Sequence, residues 1–67
     1  MAVASVSKIT AASPNSFDDA VHEGLTRAGK TLRGITGLHV LEQKASVADG
    51  RIAENRVTME VTLILEN

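Results

Sequence analysis

The stretch Arg51-Ile52-Ala53-Glu54-Asn55-Arg56-Val57-Thr58-Met59-Glu60-Val61-Thr62-Leu63-Ile64-Leu65-Glu66 carries the clearest pattern in the chain. From Val57 onward it alternates without a break. Val57, Met59, Val61, Leu63 and Leu65 fall on one side, and Thr58, Glu60, Thr62, Ile64 and Glu66 on the other. A period of two marks a strand, and one apolar face beside a largely polar one marks an antiparallel sheet covered on a single side. Asp49-Gly50, just before it, suits the left-handed backbone of a two-residue hairpin turn, which joins this strand to another running from Leu38 to Val47.

The cover must come from further upstream. Ala12-Ser13-Pro14-Asn15-Ser16 is a turn with a helix start built in. Ser16 can cap the helix by accepting from the amide of Asp19, while Asp18 and Asp19 sit where the helix dipole favours anions. A cap at Ser13, with Pro14 as the first helical residue, fits nearly as well. Beyond Phe17, the residues Ala20, Val21, Gly24, Ala28, Leu32 and Ile35 form one stripe at helical spacing. Most are small, so the helix can lie close against a sheet. Lys30 and Arg33 fall in the last turn and Gly34 is a natural C-cap, giving a helix over 16–33. Val3 to Thr10, rich in Val, Ile, Ser and Thr, reads as an edge strand whose alternation is imperfect, Val6 being out of phase with Ile9. The order is strand–helix–strand–strand, an α+β class.

Length and geometry then argue for assembly. A 67-residue chain allows one domain, 1–67. At this size only about 60 % of the unfolded chain's surface is buried, so an isolated core is marginal. The absence of cysteine removes disulfides and thiolate metal sites, and His22 and His39 make no ligand pair at helical spacing. Oligomerisation is the remaining route. A strand over 51–66 would also be about 54 Å long, against about 27 Å for a helix over 16–33, so one helix cannot cover it.

Composition excludes several functions. Formal net charge is −1 with the signs interspersed, and Phe17 is the only aromatic residue. Neither a basic stripe for phosphate backbones nor a stacking platform for bases is present, so no nucleic-acid partner is expected. No apolar run approaches the roughly 18 residues of a membrane span. Met1-Ala2-Val3-Ala4 lacks the charged and apolar regions of a signal peptide, and cytoplasmic residence is the expectation.

Chemistry-bearing motifs are sparse. The glycines at 24, 29, 34, 37 and 50 lack phosphate-loop spacing, and no nucleophile elbow or acid–base dyad appears. Asp18, Asp19 and Glu23 read as a solvated face at the start of the helix. Glu54, Glu60 and Glu66, with Arg56 between the first two, read as an ion-pairing strand face. His39, in phase with Gly37, Leu41 and Gln43, reads as structural or exposed. The residues themselves indicate a binding or structural oligomer, not an enzyme.

Several ordered segments resemble a known family. Thr10-Ala11-Ala12-Ser13-Pro14 leads into the helix, which continues as Ala28-Gly29-Lys30-Thr31-Leu32-Arg33. Leu38-His39-Val40-Leu41-Glu42-Gln43 and Arg56-Val57-Thr58-Met59-Glu60-Val61-Thr62-Leu63 come after it. Together they resemble the dodecins over nearly the whole chain. The resemblance implies a β-α-β-β subunit whose three-stranded antiparallel sheet partly wraps one helix, assembled as a hollow homododecamer. It also implies a role in storing flavin, riboflavin or its phosphate FMN, without catalysis.

By that correspondence the cofactor-contact positions are Gly37, Leu38, Lys44 and Arg56. Gly37 stands where the family carries a flavin-stacking tryptophan, followed by Leu38 where an aromatic is common, and Arg56 stands where it carries a glutamine. Lys44 keeps a basic residue associated with a nucleotide phosphate, whereas Ile64 replaces a second one. An aromatic platform is worth about 1–3 kcal/mol per stacked ring, and glycine offers none. Arginine offers only donors where glutamine offers a donor and an acceptor. The alternative expectation is a member that takes no flavin and holds a divalent cation, calcium or magnesium, on Glu42, Glu54 and Glu60, or another small anionic ligand.

Overall fold

The computed structural model describes residues 3–65; Glu66, read as part of the last strand's polar face, lies outside them, as do Met1 and Ala2. Strand β1 (Val3–Ser13) is followed by helix α1 (Phe17–Thr31), strand β2 (Ile35–Ala48) and strand β3 (Arg51–Leu65). They form one three-stranded antiparallel sheet in the order β1-β3-β2. The strand with the cleanest alternation is therefore the central one, and β1 is an edge as expected.

Val57, Met59 and Val61 on β3 have no exposed surface, and the helix places Ala20, Gly24 and Ala28 over them. Close approach explains the small residues. A Cβ at Gly24 would stand 2.5 Å from Met59 Cε and 2.9 Å from Ala11 Cβ, where only hydrogen fits. Opposite Met59 on β1 is Ile9, on the helix side, whereas Val6 lies opposite Thr62 on the far side. That placement accounts for the imperfect phase of the first strand. It continues past Thr10 to Ser13 because Ala11, Ala12 and Ser13 go on pairing with Val57, Arg56 and Asn55.

Ser16 is the N-cap, its hydroxyl accepting from the Asp19 amide at 2.9 Å. The alternative cap, Ser13, has another task. Its hydroxyl donates to the Asp19 carboxylate and accepts from the Asn15 amide, and its carbonyl accepts from the buried Asn55 Nδ2 at 3.1 Å. The two hydroxyls together fix the strand-to-helix corner.

The helix ends earlier than the stripe predicted. Leu32 is the C-cap, in extended backbone with its amide bonded to the Ala28 carbonyl at 2.8 Å, so Arg33 lies beyond the last turn. Gly34 is not the cap. Its φ of 75° turns the chain and presents its carbonyl to the Ile64 amide at 2.9 Å. Ile35, assigned to the helix stripe, opens β2 opposite Leu63, three residues before the expected Leu38. Asp49 and Gly50, at φ 53° and 74°, make the predicted hairpin turn.

Helix α1 packs on β1 and β3 and leaves β2 bare; only Ile35 and Val40 of that strand are even half-buried. Strand β2 also breaks register between Ile35 and Gly37 and between Val40 and Glu42. Each extra residue, Thr36 and Leu41, shifts the phase of the residues beyond it. His39 therefore does not share a face with Gln43: Gln43 lies opposite Val57 on the helix side, while His39 lies opposite Glu60 on the other.

Candidate functional site on the uncovered sheet face

Residues directly opposite in an antiparallel pair share a face, so the register gives the composition of the side away from the helix. It runs in rows across β1, β3 and β2: Val6, Thr62 and Gly37; Lys8, Glu60 and His39; Thr10, Thr58 and Glu42; Ala12, Arg56 and Lys44. No element of the described residues covers it.

Three of the four predicted contact residues are on this face. Lys44 and Arg56 are directly opposite one another, two cations on neighbouring strands. Each is partnered within its own strand: Arg56 Nη2 reaches Glu54 Oε1 at 2.7 Å, and Lys44 Nζ reaches Glu42 Oε1 at 3.6 Å. Gly37 is on the same face, opposite Thr62, which is six positions along β3 from Arg56. That spacing is about 20 Å. A Cβ built at Gly37 would meet nothing within 4 Å, and its φ is not positive, so a side chain there has room. Leu38 points the other way, opposite Val61 on the helix side. It lines an apolar cleft of about 460 Å³ with Leu25, Gly29, Ile35, Thr36 and Gly37, opened by the gap between the helix and β2.

The three carboxylates considered for a cation are separated. Glu54 lies opposite Ser46, Glu42 opposite Thr58, and Glu60 opposite His39. Among the described residues, no group of three or more His, Asp or Glu side chains is placed to hold a metal ion. His22 meets Asp18 at 3.6 Å on the exposed helix surface, in keeping with a solvated face. Thr10 and Thr58, whose hydroxyls approach to 3.4 Å, were not singled out by sequence. Only the register reveals that they adjoin Arg56 and Lys44.

The fold and this face define a class: a one-helix, three-stranded subunit too small to cover its own sheet, with chemistry displayed where none of the described residues closes over it. The chain belongs to the dodecin family, whose model matches residues 3–66. Dodecins are homo-oligomeric binders of small ligands, typically flavins. The chain is similar to the dodecin of Streptomyces davaonensis, at 33% identity, covering 98% of this chain and 97% of that one with a TM-score of 0.94. It is also similar to a Thermus thermophilus dodecin, at 27% identity over all of both chains and a TM-score of 0.94. A third similar structure is the calcium-chelating antigen calcium dodecin of Mycobacterium tuberculosis, described with a novel calcium-binding site: 28% identity, 96% and 91% coverage, TM-score 0.82. No curated protein matches significantly. No helix of the described residues is long and apolar enough to cross a membrane.

Proposed function

We propose that the chain, as one dodecin-like domain over 1–67, assembles into a hollow homododecamer that binds and stores a flavin without catalysing a reaction on it. The observation that carries this reading is the division of the contact positions within one subunit. Gly37 and the Lys44–Arg56 pair share the uncovered face yet lie about 20 Å apart along it. A ligand touching both kinds of position has to be completed by a second copy, which is what an oligomeric binder supplies.

The residues fit a flavin with one substitution of means. No aromatic side chain is on the face, so binding relies on stacking of the ligands with each other in the space that Gly37 leaves. Bound flavin would supply the absorbance and redox chemistry of its ring; the chain's residues position it and restrict its contact with water. Titrating the purified protein with riboflavin or FMN should quench their fluorescence. Unquenched emission at about 10–50 µM, already a weak limit, rejects the reading.

Calcium binding is the second reading, favoured by the Mycobacterium tuberculosis neighbour. The separation of Glu42, Glu54 and Glu60 makes any such site an inter-subunit one. A thermal unfolding midpoint that stays constant through calcium addition and chelation removes it.

A further inference from the structure

We propose that His39 and Glu60 form half of a site for zinc, a borderline divalent cation, and that the same pair of a second copy completes it on the uncovered sheet face. The site rests on the self-assembly proposed above and not on its flavin.

His39 on β2 and Glu60 on β3 are direct partners in the register, on the side away from the helix. Side chains in that relation leave the sheet with Cβ atoms about 5 Å apart, close enough for an imidazole nitrogen and a carboxylate oxygen to reach one ion. Sequence spacing cannot find such a pair, because its members lie on different strands.

Their row is also the unsatisfied one. The other charged side chains of the four rows are taken: Lys44 reaches Glu42 at 3.6 Å and Arg56 reaches Glu54 at 2.7 Å. Among the described residues, no side-chain hydrogen bond or ion pair engages His39, Glu60 or Lys8. Lys8 stands opposite Glu60 on β1. A carboxylate has two oxygens, so Glu60 can face Lys8 and still offer one oxygen toward His39. His39 is exposed, and its neighbour in the adjoining row of β2 is Gly37, which has no side chain to screen it.

The donor set decides the metal. Calcium and magnesium take shells of oxygen, whereas a mixture of imidazole nitrogen and carboxylate oxygen suits zinc. Two donors are too few, since zinc takes four. Within one chain the described residues bring no third His, Asp or Glu to the pair. A copy related by a twofold axis presents the same patch to its mate, so two pairs supply two nitrogens and two oxygens. The divalent ion also offsets the charge of the two carboxylates that it joins.

The test is a calorimetric titration of zinc chloride into chelator-stripped protein whose mass in solution is known. About half an ion should bind per chain, undisplaced by excess calcium or magnesium. His39→Ala and, separately, Glu60→Gln should each weaken zinc about tenfold or more, because losing a residue that merely orients a ligand already costs about that much. His22→Ala is the control: His22 and Asp18 make another imidazole–carboxylate pair, at 3.6 Å on the helix, and its loss should leave the affinity unchanged. Cobalt(II) in place of zinc should give the intense visible absorption of a tetrahedral shell, and His39→Ala should abolish it. Should His39→Ala fail to fold, His39→Gln takes its place with the same expected loss. A full ion per chain, or an affinity that follows His22 instead of His39, overturns the site. Assembled protein that ignores zinc overturns the site alone. Protein that is monomeric with and without zinc overturns the assembly as well.

Discussion

Gly24 and Gly29 stand on the same helix in different surroundings. The first has Met59 and Ala11 within contact of any Cβ; the second has open space. Alanine at either gains about 1 kcal/mol of helix propensity, but at Gly24 overpacking costs about 1–3 kcal/mol. Urea unfolding should rank Gly29→Ala above the native protein and Gly24→Ala below it. Gly37 is open as well, with no positive φ to penalise a side chain. Gly37→Trp should therefore fold, and a stacking platform worth about 1–3 kcal/mol should tighten riboflavin by about fivefold or more in the same quenching titration. Unchanged affinity would show that position 37 does not face the ligand.

At the scale of the element, the corner between β1 and α1 is held by polar groups around Asp19. Hydrogen bonds from Ser13 and then Asn15 hold its carboxyl below the usual value of 3.8, with His22 adding a weaker attraction. A depressed folded value means the unfolded chain takes up the proton first as pH falls. The stabilisation is present above the unfolded value and is lost as pH descends through the folded one. Asp19→Asn should thus flatten the fall in stability below about pH 4, seen as a smaller difference in unfolding midpoint between about pH 5 and about pH 2. Equal pH dependence in the two proteins would remove Asp19 from the account. Ser16 was legible as the cap because its spacing to Asp19 is local; the tie from the Ser13 carbonyl to Asn55 was not, because that partner is supplied by β3.

For the whole molecule, the described residues extend 52 Å along the long axis, whereas a fifteen-residue helix covers about 22 Å. The remainder of the sheet carries Val3, Val47, Ile52 and Leu65, all more than half exposed. In the proposed assembly this bare apolar surface is where copies would meet and the subunit would gain stability. Its thermal midpoint should rise with protein concentration wherever dissociation accompanies unfolding, and its mass in solution should be twelve times that of the chain. A monomeric mass with a concentration-independent midpoint would contradict the assembly.

The sequence alone determined what depends on neighbours a few residues apart: the period of β3, the Asp49-Gly50 turn, the Ser16 cap, the small-residue stripe and the order of elements. It placed the helix end too late, at Arg33 with Gly34 as cap, because Ile35 satisfies both a helical stripe and a strand phase; pairing with Leu63 puts Ile35 in β2. Tertiary structure alone decided which residues share a face. Counting by twos separates Gly37 from Lys44, seven positions later, and unites His39 with Gln43. The extra residue at Leu41 reverses both relations and sets Lys44 opposite Arg56. A bulge is chosen by the fit between two strands distant in sequence, so a one-strand pattern cannot contain it. The face that begins with the alternation of β3 is therefore completed by a register that the alternation does not encode.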